Sequence, residues 1–144
     1  MNDYSNILVA IDGSEAAEKA FLKAVEIAKG HQSRLIIAHV VDPITSPGVE
    51  EYHVSIIESS KRYGQSLLEE YEKRAVEAGV KEAVSQLELG SPKSKIPKVI
   101  AEKYGADLIV CGATGMNAME RFILGSVSQS IARNAACDVL VVRS

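Results

Sequence analysis

Gly112, Gly115, Gly125 and Ser126 stand in the spacing G-x2-G-x9-G-S, after an apolar run at Leu108–Cys111 and before a helical stretch. Glycine has no Cβ, so its backbone can take unusual dihedrals and come close to a bound group, turning N–H groups toward it. Ser126 opens the helix, where the first N–H groups lack partners and the dipole is positive; its hydroxyl adds a donor. This is the chemistry of a phosphate cradle. Each piece also has a purely structural reading. Gly112 and Gly115 can be turn residues, and Ser126-Val127-Ser128-Gln129 is a capping box that satisfies its own helix end. The ordered succession of strand, glycine pair, fixed gap, Gly-Ser and helix exceeds what a turn requires and favours nucleotide binding.

Two other phosphate loops are absent. No GxxxxGK[ST] occurs, and the first strand runs into Asp12-Gly13-Ser14 instead of GxGxxG. P-loop NTPases and dinucleotide-dependent dehydrogenases are thereby excluded. Between Gly112 and Ser126 the one cation is Arg121 and there is no lysine. The charge of a polyphosphate would fall mainly to backbone amides, the helix dipole and Mg2+, with Arg121 either assisting or lying at the surface. Asp12, at a strand's carboxyl end, is either a site residue or a helix-initiating turn residue. None of His31, His39 and His53 lies in the loop, and no Ser/His/Asp or metal-ligand spacing appears. Binding is therefore favoured over catalysis. The alternatives are a slow ATPase or phosphotransferase, for which Asp12 is the one visible candidate, and a nucleotide-free dimeric scaffold.

The elements that must position this loop follow from hydrophobic patterning. With 144 residues, 47% of them hydrophobic and 24% charged, the chain reads as a single folded domain, 1–144. Asn6–Ile11 is nearly all apolar, as in a strand buried on both faces, and Arg34–Val41, Ala83–Leu89, Asp107–Cys111 and Val139–Val142 are further strands. Polar residues in Ala83–Leu89 suit a sheet edge. Between them lie a helix capped by Ser14 and closed at Gly30, with an inward face of Ala17, Ala20, Phe21, Ala24, Val25 and Ala28, and a turn-rich segment from Asp42 to Gly48. A long helix from Glu51 to Ala78 buries Ile56, Ile57, Tyr63, Leu67, Tyr71 and Ala75 and ends at Gly79; a shorter one starts near Ser94, so that Pro97 falls in its first turn, and reaches Tyr104. Strands alternating with helices predict an α/β fold with a parallel sheet covered by helices.

Composition narrows the partners. The net charge is −3, and no segment interleaves basic and aromatic residues, which gives no support for nucleic acid or a membrane surface. Apolar runs such as Ile7–Ile11 are too short to cross a bilayer, and Met1–Ser5 has no signal-like basic flank, so a cytoplasmic protein is expected. Cys111 and Cys137, beside apolar runs and without CxxC spacing, read as reduced core thiols.

The glycine pattern, with Ile7–Ser14, His39-Val40, Gly90-Ser91-Pro92 and Cys137–Val142, resembles the universal stress protein family along nearly the whole chain. The resemblance implies a Rossmann-like open five-stranded sheet of order 3-2-1-4-5 with helices on both faces. It also implies a homodimer paired through the last strand and, in one subgroup, bound ATP, with AMP or ADP as alternatives and Mg2+ as counter-ion. Carried across by position, Asp12 would contact the nucleoside or a metal, with Ile11 beside it among the nucleotide-binding residues, and Val40 would offer its backbone to the adenine edge. Cys111, Gly112, Thr114 and Gly115 would border the ribose and phosphates, while Gly125, Ser126 and Val127 hold the phosphate tail. Three positions depart from the family pattern: Thr114 where histidine is frequent, Met116 where a basic residue is frequent, and Asp138 where proline is usual.

Overall fold

The computed structural model of the chain describes residues 3–43, 50–114 and 124–143, and of residues 50–53 the backbone alone. Five strands, β1 (Asn6–Ala10), β2 (Arg34–Val41), β3 (Glu82–Leu89), β4 (Leu108–Gly112) and β5 (Asp138–Val142), form one parallel sheet in the order 3-2-1-4-5. The central strands β1, β2 and β4 are nearly all apolar because both faces are covered. Ile7, Val9, Leu35, Ile37 and Val110 enter one core, and Leu8, Ile36, Ala38 and Ile109 the other. The more polar β3 lies at one edge and β5 at the other, as the sequence of β3 suggested.

One face is closed by α1 (Glu15–His31) and α2 (Glu50–Ala78). Ser14 caps α1, its Oγ accepting from the Ala17 N–H at 3.1 Å, and all six residues of the expected inward face are buried. The helix does not end at Gly30. It runs to His31, and Gln32 takes the left-handed position (φ 55°) while the N–H groups of Gln32 and Ser33 close on the Ala28 carbonyl. The inward stripe of α2 also differs from the expected one. It passes through Gly64, Leu68, Tyr71 and Ala75, and leaves Tyr63 56% exposed at its border. Gly64 is on the stripe because a Cβ there would stand 2.6 Å from the His39 ring of β2. The two helices are joined by Tyr71 and Arg74, which both donate to the Glu18 carboxylate, with the guanidinium stacked over Phe21 and Tyr71.

The other face is closed by α3 (Pro92–Ser94), a π-helical segment (Lys95–Ile100), α4 (Ala101–Tyr104) and α5 (Ser126–Asn134). This stretch begins at Pro92, two residues before the expected start, and Pro97 sits inside the π segment. A proline has no N–H to give the carbonyl four residues back, here that of Lys93. Ser130 of α5 supplies the missing donor, its Oγ donating to the Lys93 carbonyl at 2.9 Å. A proline that would break an isolated helix is thus compensated by a neighbouring one.

Candidate functional site

In the order 3-2-1-4-5 the chain reverses its winding between β1 and β4, and open α/β sheets take their ligands in the crevice beyond the carboxyl ends of the strands at such a point. Asp12 follows β1, Gly112 ends β4, and α5 starts at Ser126. The ladder from β1 to β2 stops at Ala10 opposite Ala38, with the Ile11 N–H reaching the Ala38 carbonyl at 2.8 Å. Residues His39–Val41 of β2 therefore run past the end of β1. Backbone groups two residues apart face the same strand edge, so Val40 presents its own on the edge of Ala38, beyond the point where β1 stops pairing.

Ile11 is buried, and its carbonyl accepts from His39 Nδ1 at 2.9 Å. Asp12 is exposed; its Oδ1 accepts from the Ser14 N–H at 2.9 Å, and Gly13 follows with φ 84°. Asp12 is therefore a turn residue, exposed just beyond the carboxyl end of β1. Cys111 points into the core, where burial pushes its thiol up to about 11, so its side chain takes no part in the crevice. Cys137 is half-buried, and burial likewise raises its thiol.

Gly112 needs to be glycine for a reason the sequence did not show. A Cβ there would stand 2.8 Å from the carbonyl carbon and Cβ of Ala16, so the first turn of α1 packs directly on the end of β4. Ala113 is then held at both backbone groups: its N–H donates to the Val142 carbonyl at 2.9 Å, and its carbonyl accepts the Gly125 N–H at 2.7 Å. That second bond brings the two halves of the glycine pattern together. Thr114 is half-buried beside it, while Gly115, Met116 and Arg121 lie outside the described residues.

The capping box at Ser126 and Gln129 does not form. Gly125 is the N-cap, no side chain caps the helix, and Gln129 Nε2 donates to the Leu124 carbonyl instead. Glycine at that position leaves the N–H groups of Val127 and Ser128 without the side-chain oxygen that Ser, Asp or Asn would supply. Ser128, which the sequence presented only as part of the box, is buried and donates toward the Ala113 carbonyl (3.0 Å) and the Gly125 carbonyl (2.9 Å). Among the described residues no group of three His, Cys, Asp or Glu side chains gathers as a metal site, and no helix is long and apolar enough to cross a membrane.

An open five-stranded parallel sheet of order 3-2-1-4-5, covered by helices on both faces, places the chain among the doubly wound α/β domains. The model of the universal stress protein family matches residues 3–143, and the chain belongs to that family. It is 51% identical over 144 residues to a universal stress protein of Staphylococcus aureus (strain USA300), covering 100% of this chain and 87% of that one. Among solved structures it is similar to the universal stress protein UspA from Lactobacillus plantarum, with TM-score 0.90, 29% identity and coverage of 99% and 100% of the two chains. It is also similar to a universal stress protein in complex with cAMP, with TM-score 0.74, 27% identity and 99% of both chains covered.

Proposed function

We propose that this chain is a cytoplasmic, single-domain regulatory module that binds an adenine nucleotide in the crevice between Asp12, Val40 and the start of α5, with ATP the expected occupant and ADP or AMP the alternatives. The observation that carries this reading is the start of α5. Gly125 caps it without a side chain, so an anion can take the role that a capping oxygen fills elsewhere. The solved relative holding cAMP supports an adenine nucleotide as the class of ligand. In this reading the base lies along the free edge of Val40, beside Ile11, and the ribose passes Gly112 and Thr114 over the backbone of Cys111. The phosphates meet the N–H groups of Ser126 and Val127, with Gly115 contributing from the loop. Mg2+, when present, is held chiefly through phosphate oxygens, with Asp12 the carboxylate at the rim. The protein then acts by holding nucleotide, and signals through a homodimer formed along the open edge of β5.

The test is to release ligand from freshly purified protein by heat and chromatograph the supernatant, and to titrate stripped protein with ATP–Mg2+ in a calorimeter. An adenine nucleotide in the extract, or saturable heat, is the expected result. Empty protein with no heat of binding refutes the proposal. Sedimentation equilibrium checks the dimer, which a monomer at micromolar concentration would refute.

A further inference from the structure

Three serines are the buried polar residues of the described chain: Ser14, Ser33 and Ser128. Two have plain architectural work. Ser14 caps α1, and Ser33 donates to the Tyr4 carbonyl. Ser128 is different in where it acts, because its hydroxyl joins the residue before the glycine loop to the residue after it. Its one proton faces two carbonyls, Ala113 at 3.0 Å and Gly125 at 2.9 Å, and the Gly125 N–H also reaches the Ala113 carbonyl at 2.7 Å. The Ala113 carbonyl thus accepts the Gly125 N–H and shares the Ser128 proton with the Gly125 carbonyl, while the Ala113 N–H is fixed to Val142.

The electrostatic consequence bears on an anion. A carbonyl oxygen is the negative end of its peptide dipole, and one turned toward the bare start of α5 would repel a phosphate there. With the Gly125 N–H and the shared Ser128 proton on the α5 side, the Ala113 oxygen is turned into the protein, and the peptide that carries it is oriented before any ligand arrives. Preorganised dipoles act without reorganisation cost, so a small rotation of this peptide changes what a phosphate meets. We infer that Ser128 is a positioning residue for the phosphate end of the nucleotide site, acting through the Ala113 carbonyl and the Gly125 peptide without itself touching the ligand. The inference rests on the nucleotide reading above and assigns the discrimination between phosphorylated and unphosphorylated ligand to this hydroxyl.

The experiment compares wild type, Ser128→Ala and Ser128→Thr for ATP and adenosine by calorimetry, and follows Gly125 amide exchange by NMR in the nucleotide-free protein. Losing a buried hydroxyl donor corresponds to about a five- to tenfold change in an equilibrium. Ser128→Ala is expected to weaken ATP by about that factor, to leave adenosine within about twofold, and to speed Gly125 exchange, while Ser128→Thr restores all three. A general loss of stability would weaken both ligands together. If Ser128→Ala does not fold, Ser128→Cys, which keeps the shape with a weaker donor, takes its place in the same comparison. An unchanged ratio of ATP to adenosine affinity in a wild type that binds both overturns the positioning role alone. A wild type that binds neither ligand overturns the nucleotide reading and this inference with it.

Discussion

Gly112 at the end of β4 lies so close to Ala16 in the first turn of α1 that a Cβ would stand 2.8 Å from the Ala16 carbonyl carbon. The obstacle is partly backbone, which cannot swing aside as a long side chain can. Gly112→Ala must push α1 off the sheet, at a cost of about 1–3 kcal/mol, the usual range for overpacking. Urea unfolding of ligand-free protein measures this. A midpoint equal to wild type would show that the contact is not as rigid as it stands.

The bare start of α5 predicts an exchange of stability for binding. Gly125→Asp supplies a capping carboxylate in a backbone conformation, φ −67° and ψ 161°, that any residue can adopt. The variant gains about 0.5 kcal/mol from the cap and the dipole. It loses about tenfold or more in ATP affinity, because the carboxylate competes for the Val127 N–H and repels phosphate. Thermal melts and calorimetry on one preparation read both. Unimpaired ATP binding would place the phosphates elsewhere.

Pro97 and Ser130 form a compensated pair through the Lys93 carbonyl. Ser130→Ala removes the donor and costs about 1 kcal/mol. In a Pro97→Ala background a backbone N–H becomes available to that carbonyl, so the same serine change costs less. A double-mutant cycle measures the difference as a coupling energy. Strict additivity would mean that the hydroxyl and the proline are unrelated.

Glu18 ties α1 to α2, and the hydrogen bond from Arg74 is the chief reason its carboxyl is held below its ordinary value of 4.5. A carboxyl with a lowered folded-state value stabilises fully above its unfolded value, and the contribution fades as pH falls through the folded one. Stability will therefore decline below pH 4.5, and Glu18→Gln will flatten that acid limb relative to wild type. Arg74→Ala will cost about 1–2 kcal/mol at pH 7, since it also removes the stacking on Phe21 and Tyr71. Denaturation midpoints across pH 3–7 check both, and parallel acid limbs for wild type and Glu18→Gln would refute the linkage.

The sequence by itself determined the sheet. Strands covered on both faces must be apolar throughout, so β1, β2 and β4 stand out as runs, and the polar interruptions of β3 mark an edge. Local chemistry likewise fixed the Ser14 cap. What the tertiary structure decided are relationships between residues remote in sequence. Gly112 is glycine because of Ala16, Ser128 reaches back 15 residues to Ala113, and Ser130 reaches 37 residues to Lys93. The capping box failed for the same reason: Ser126-Val127-Ser128-Gln129 has the right local pattern, but the bond from Gly125 to Ala113 sets where the helix begins. A periodic signal records which face of an element is buried. It carries no record of which distant carbonyl a buried hydroxyl will meet, and the glycine loop is closed by such meetings.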